Sequence, residues 1–341
     1  MKNNNKGEIM DNLKKVGLTA LAGSLAAISA NAAEMTVSGA TVLTYTSEDP
    51  TEVTGNPYGM KTNLGFTASG EVNGYTVSYM QTSMDKFAGM SSARMTIDMG
   101  DMGTIAFDQG SGSGLSTIDD KTPTAAEEIW DGLDGAGAST TSVGGLVGAA
   151  GNSGVWNYVN TFAGVTLNSA ARFGSGAKSA DGASSGANGD AWDFALLSGM
   201  GMDGLAAGIG YGEADSGTTG TDSEDEHFTI FANYSMGPVT VGYQHSNINL
   251  GNDASSDEVA DAWGVAININ ENLSVSYGER EVEYTNASAT HNTEEGEGVA
   301  VAYTMGSIKI AGNRNEVKNN NNATGTAAKD SMTEVAISFA F

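Results

Sequence analysis

The chain has no cysteine, so neither a disulfide nor a thiolate metal site is available to it. Its three histidines, His227, His245 and His291, lie far apart and form no His-Glu-x-x-His pattern. Gly182-Ala183-Ser184-Ser185-Gly186 fits the nucleophile-elbow pattern by letter, but it sits in a Gly/Ser-rich stretch and not at a strand-to-helix turn. Nothing in the sequence marks a nucleophile with its base, and the reading is of a chain that is not an enzyme. Positive charge is also scarce: 15 Lys and Arg stand against 41 Asp and Glu, a formal charge of −26. That balance argues against nucleic acid as a partner, because such a partner wants a basic surface. No apolar run approaches the ~20 residues that a membrane helix needs. Hydropathy alone would therefore describe a soluble protein, but it is blind to barrel strands, whose lumen-facing residues dilute every window.

The first 32 residues read as a separate segment. Lys14 and Lys15 precede a small apolar run from Val16 to Ile28, and Ala30-Asn31-Ala32 supplies a small-residue cleavage site. This is the pattern of a secretory signal peptide, with residues 33–341 as the exported chain and Met10 an alternative start. The apolar run is too short for a membrane-anchoring helix. Cleavage would remove four lysines and two acids, taking the charge from −26 to −28.

What is abundant is alternation. Val335, Ile337, Phe339 and Phe341 fall on one face of a terminal strand, and Glu334, Ala336, Ser338 and Ala340 on the other. The same period of two recurs in Tyr75/Val77/Tyr79, Met95/Ile97/Met99, Val239/Val241/Tyr243, Trp263/Val265/Ile267, Leu273/Val275/Tyr277 and Val299/Val301/Tyr303. Clusters of Gly, Asn, Asp and Ser separate these runs and read as turns. Short connections such as Val72-Asn73-Gly74, Met236-Gly237-Pro238 and Met305-Gly306-Ser307 alternate with long ones near 47–58, 83–90, 111–151, 174–189, 213–225, 248–259, 285–294 and 318–329. Seven short turns and eight long loops join sixteen strands. The expected fold is all-β: a 16-stranded antiparallel transmembrane barrel, with short turns on one rim and long loops on the other. An even strand number lets the first strand pair with the last and removes both free edges. A sandwich or solenoid adhesin also alternates, but it needs neither an outward aromatic belt nor this regular long–short rhythm.

The signal peptide, the sixteen-strand rhythm, the long third loop and the terminal Phe341 together resemble a Gram-negative general porin of the alphaproteobacterial type. The resemblance covers the whole exported chain and rests on architecture more than on single residues. It implies an outer-membrane location, short periplasmic turns, extracellular long loops and passive diffusion of small hydrophilic solutes and ions. It also implies a homotrimer in contact with outer-membrane lipid and lipopolysaccharide. Phe341 matches the terminal aromatic that the outer-membrane assembly machinery reads in that family.

The same resemblance implies that loop 111–151 folds into the barrel and narrows it. Asp119, Asp120, Glu127, Glu128, Asp131 and Asp134 would then place carboxylates at mid-pore. Thr124 followed by Ala125 to Trp130 carries the signal of a short helix. Five strand cations, Lys61, Arg94, Arg172, Arg280 and Lys309, alternate against apolar neighbours and so face the lumen. Lumen placement is expected in any barrel, since a cation facing lipid at mid-membrane costs ~2–4 kcal/mol. The resemblance goes further and casts them as a basic wall opposing the loop acids. Arg314 falls on the outward parity. The acidic excess favours cations at the mouth, whereas a basic wall could serve a channel specific for small anions. No cofactor is expected. No dedicated Ca²⁺ loop is present, so any such ion would be loosely held among the acid-rich loops.

Overall fold

The computed structural model describes residues 34–48, 56–83, 90–109, 114–133, 153–173, 190–215, 224–251, 257–285, 292–322 and 328–340. The expected signal peptide, Asp134, His291 and Phe341 lie outside them. Sixteen strands follow in order: β1 Glu34–Glu48, β2 Tyr58–Val72, β3 Tyr75–Ser83, β4 Met90–Asp98, β5 Thr104–Gln109, β6 Ser153–Phe162, β7 Val165–Arg172 and β8 Ala191–Ser198 form the first half. The second half is β9 Leu205–Asp215, β10 Glu224–Met236, β11 Val239–Asn249, β12 Asp257–Asn268, β13 Leu273–Thr285, β14 Glu294–Met305, β15 Ile308–Lys318 and β16 Asp330–Ala340. Each pairs antiparallel with its sequence neighbours, and β1 closes on β16 from Ala40↔Ala340 to Glu48↔Met332. Closure leaves no free sheet edge, the condition a strand protein must meet in lipid.

Local chemistry explains the short rim. Asn73 and Gly74 take φ of 52° and 85°, the left-handed pair that a tight hairpin needs. The outward faces carry Leu43, Met60, Met95, Ile209, Ile230, Val241, Val301, Ile310 and Val335, all exposed. Aromatics bracket this apolar band. Near the long-loop rim Trp192 contacts Phe194 and Tyr211, Trp263 contacts Tyr277, and Phe107 contacts Trp156. Near the short-turn rim stand Tyr75, Phe162, Tyr234, Tyr303 and Phe339. Just beyond the upper belt the Tyr211 hydroxyl reaches Glu213 (2.9 Å) and Glu226 (3.1 Å), and Tyr277 reaches Glu279 (2.6 Å) and Glu297 (3.1 Å). Arg314 is outward and exposed, bonded to Glu316 and Thr333. Two of the buried apolar clusters lie where the loop after β5 meets the inner wall, and two more are made by strand residues alone.

Candidate functional site: a loop seated on the inner wall

The segment 114–133 runs along the inside of β7 to β16. Its first anchor is a 3-10 turn, Leu115–Ile118. Leu115 and Ile118 are fully buried against Ala195 of β8 and Phe231 of β10. The Gly114 N–H donates to Asp193 Oδ1 (2.7 Å), a carboxylate that is itself buried on the inner face of β8. The second anchor is Ile129, Trp130 and Leu133, packed on Ala262, Val317 and Met332 of β12, β15 and β16.

Between the anchors the wall holds the loop backbone. Lys121 N–H donates to Gln244 Oε1 (2.8 Å), and Asn233 Nδ2 donates to the Lys121 carbonyl (2.5 Å). The Ala125 N–H donates to Ser276 Oγ (2.9 Å). Asn315 Nδ2 donates to the carbonyls of Glu128 (3.1 Å) and Asp131 (2.9 Å). These bonds account for one departure from expectation. Thr124 does bond its own loop, donating to the Glu127 carbonyl (2.6 Å) and accepting from the Ala126 N–H (3.3 Å). Yet residues 124–130 form bends and turns, not a helix. Ser276 and Asn315 tie the Ala125 N–H and the Glu128 and Asp131 carbonyls to the wall, and that attachment fixes the backbone in place of a free-standing helical turn.

The loop acids are not equivalent. Glu127 and Asp131 are exposed, while Asp119, Asp120 and Glu128 are half-buried. Burial, with the adjacent Asp120 charge behind it, pushes the Asp119 carboxyl up to about 8. Burial also raises Asp120, against the hydrogen bond from Asp119 and the charges of Lys121 and Arg280. At neutral pH the pair therefore shares one proton. Burial raises Glu128 too, assisted by Asp120, Glu127 and Asp131.

The five strand cations do not form one wall. Lys61 on β2 and Arg94 on β4 face inward, on the arc outside the β7–β16 seat. Arg172 ends β7 at the long-loop rim, buried, with Asp190 as its nearest charge. Arg280 departs from the expected arrangement: it lies beneath the loop and not across from it. It is 6 % exposed, paired with Glu294 (3.2 Å) and roofed by the Trp130 ring at 5.3 Å. The reason is packing, since Trp130 needs a cover for its face and the guanidinium supplies one. Lys309 is the second residue of β15, beside the short turn 306–307 and remote in register from the loop seat.

Three further charged residues, not among the expected site residues, join the site. Lys121 places a cation on the loop itself, beside Asp119 and Asp120. Glu334 faces inward on β16 near Asp131 and Glu127, and Glu258 on β12 faces Arg280 and Glu294. Strand parity alone would have put Glu334 and Glu258 in the lumen. Among the described residues no group of three or more His, Asp or Glu side chains is arranged to hold a metal ion.

A closed sixteen-stranded barrel, apolar outside between two aromatic belts and carrying a loop inside its bore, is the architecture of an outer-membrane channel. The chain belongs to the Gram-negative porin family, whose model matches residues 17–282. No curated protein matches it. Among solved structures it is similar in fold to OmpT, an outer membrane protein of Vibrio cholerae, at 13% identity and TM-score 0.64, covering 90% of this chain and 97% of that one. It is similar too to the anion-selective porin of Comamonas acidovorans (12%, TM-score 0.61, 91% and 100%). A third is the outer membrane channel DcaP of Acinetobacter baumannii (13%, TM-score 0.61, 91% and 97%). The protein is an outer-membrane porin for passive diffusion of small hydrophilic solutes.

Proposed function

We propose that the bore is narrowed by loop 111–151 and that the narrowing carries a transverse field favouring cations. The observation that carries this is the seating of residues 114–133 against β7 to β16. Asp120, Glu127, Glu128 and Asp131 supply the negative side, with Asp119 holding the proton of the pair at neutral pH; Asp134 follows them in the sequence, outside the described residues. Lys61 and Arg94 supply the positive side from β2 and β4, with Arg172 above them at the outer mouth. Opposed charges order water and dipoles across the opening. A hydrated polar solute is slowed little there, whereas an apolar one must displace that water. The net acidic excess concentrates cations at the mouth. Export by the N-terminal segment, assembly through the terminal Phe341 and a homotrimer complete the proposal. OmpT of Vibrio cholerae has been solved in a trimer form.

Refolded protein in a planar bilayer tests this reading. Expected are steps of current that grow linearly with salt, without saturation by any one solute, and a reversal potential of cation sign in a salt gradient. No conductance would sink the channel reading, and a saturable block by phosphate or a small carboxylate would point to an anion-specific channel instead.

The shared proton of Asp119 and Asp120 gives a pH signature. Because the seated Asp119 carboxyl is raised to about 8, the folded state binds the extra proton between the ordinary carboxylate value of 3.8 and that value. Loop seating is therefore favoured at low pH and weakens as pH rises through this window. Ionisation also adds one negative charge at the bore. Cation preference is expected to step up within about one unit either side of pH 8, and Asp119→Asn to abolish the step. Reversal potentials recorded across that range check it; an unchanged step in Asp119→Asn would assign it to another group.

A further inference from the structure

The loop's middle crosses β11 to β14 over four glycines, and these glycines are paired directly with one another. The register runs Gly242↔Gly264, Gly264↔Gly278 and Gly278↔Gly298, one inward position per strand. At each end the line continues into a loop-binding side chain: Asn233 pairs with Gly242, and Asn315 pairs with Gly298. Glycine is a poor strand residue, lacking a side chain to pack and losing the most backbone freedom on folding. Four of them side by side weaken the sheet unless something needs the space.

The loop fills that space together with the side chains of Asn233 and Asn315, which bond the loop backbone. A Cβ at Gly242 would clash first with the side-chain oxygen of Asn233, its partner on β10, and would lie 2.5 Å from Pro123 Cδ. One at Gly264 would lie 2.8 Å from the Pro123 carbonyl oxygen, and its three nearest neighbours are all Pro123 atoms. At Gly278 it would lie 2.9 Å from the Trp263 carbonyl oxygen and 3.2 Å from Ile129 Cγ2, and at Gly298 2.5 Å from Asn315 Oδ1 and 2.9 Å from Ile129 Cβ. These approaches are closer than packed atoms tolerate. Gly208 and Gly210 on β9 likewise face the loop, at its first anchor, where a Cβ would meet Ile118 and Leu115, whereas inward glycines away from the loop differ. Gly65, on β2, would place its Cβ no nearer than 3.5 Å to any neighbour, and the loop is not among the nearest.

We infer that this glycine line sets the calibre of the pore: its four residues are specificity-determining positions that fix how far the loop stands off the wall. The inference rests on the loop-narrowed pore proposed above and assigns its size determinant to the wall and not to the loop. A side chain on the line lifts the loop into the bore, because the anchors at Leu115/Ile118 and Trp130/Leu133 hold its two ends.

Gly264→Val tests it, with Gly65→Val as the matched control that adds the same side chain elsewhere in the bore. The cysteine-free chain allows an independent readout of loop position. Thr124 Oγ1 and Ser276 Oγ lie 3.5 Å apart, so Thr124→Cys with Ser276→Cys should form a disulfide on oxidation. Expected in Gly264→Val are a fall of roughly two-fold in single-channel conductance, as a packed wall must displace the loop, exclusion of solutes the wild type passes, and loss of the disulfide. Gly65→Val should conduct nearly as the wild type and keep the disulfide. Folding is followed by heat-modifiable gel mobility, and Gly264→Ala serves if the valine variant does not fold. Unchanged conductance with the disulfide retained would overturn the inference. So would an equal fall in Gly65→Val, a rise in conductance, or failure of the disulfide in the otherwise unaltered chain. A wild type that does not conduct would instead refute the channel reading.

Discussion

Arg280→Gln is expected to destabilise the protein by about 3–5 kcal/mol, the usual cost of removing one partner from a buried ion pair. Arg280 and Glu294 are 6% and 3% exposed. The Glu294 carboxylate accepts from Arg280 Nη1 (3.2 Å) and from the Tyr284 hydroxyl (2.8 Å), so loss of the guanidinium leaves a buried carboxylate without its countercharge. Glu258, nearby, loses the same countercharge. Trp130 loses the cation on its face, and with it part of the second loop anchor. The damage should thus appear twice, as earlier thermal unfolding in detergent and as noisier single-channel current. Replacing both partners, Arg280→Gln with Glu294→Gln, removes the stranded charge and should recover most of the loss. If the single variant melts with the wild type, the pair is not the buried strut described above. If the double variant is no better than the single, lost packing on Trp130 dominates.

Neutralising the loop has the largest expected effect on permeation. Asp119→Asn, Asp120→Asn, Glu127→Gln, Glu128→Gln and Asp131→Asn together remove about four charges at neutral pH, since Asp119 and Asp120 share a proton. Each charge ~8 Å from a passing ion is worth ~0.5 kcal/mol in water. Four amount to ~2 kcal/mol before screening, and screening over ~10 Å in 0.1 M salt removes only part of that. A fall of about ten-fold in the cation-to-anion permeability ratio follows. With the loop charge gone and Lys61 and Arg94 still in place, the sign should approach or cross zero preference. Reversal potentials in a salt gradient give the ratio directly, and an unaltered ratio would mean that selectivity is set at the outer mouth. The loop seat should survive these changes, because its bonds are to backbone groups and to apolar side chains.

The barrel was legible in the sequence because lipid leaves one solution for strands: alternate apolar residues outward and close the sheet. Parity alone assigned Lys61, Arg94, Arg172, Arg280 and Lys309 to the inner face. What parity does not carry is depth, or what covers a residue. Arg280 and Arg94 look alike as alternating cations, yet one is roofed by a tryptophan from a loop some 150 residues away in the chain. Likewise Thr124 to Trp130 has a helix's local preferences, and only the distant Ser276 and Asn315 redirect its backbone. The glycine line was visible as composition but not as a line, because register across four strands depends on turn lengths summed along the sheet.

The seat of the loop lies downstream of the loop in the chain. Residues 114–133 come after five strands, but the positions that hold them run from Asp193 to Met332. Until β15 and β16 are in place, Asn315, Val317 and Met332 are not there to receive Glu128, Asp131 and Leu133. Such sequence-distant contacts form late, after the loop-closing entropy has been overcome. The second anchor therefore docks last: the cylinder closes first, and only then does the far half of the loop find its seat.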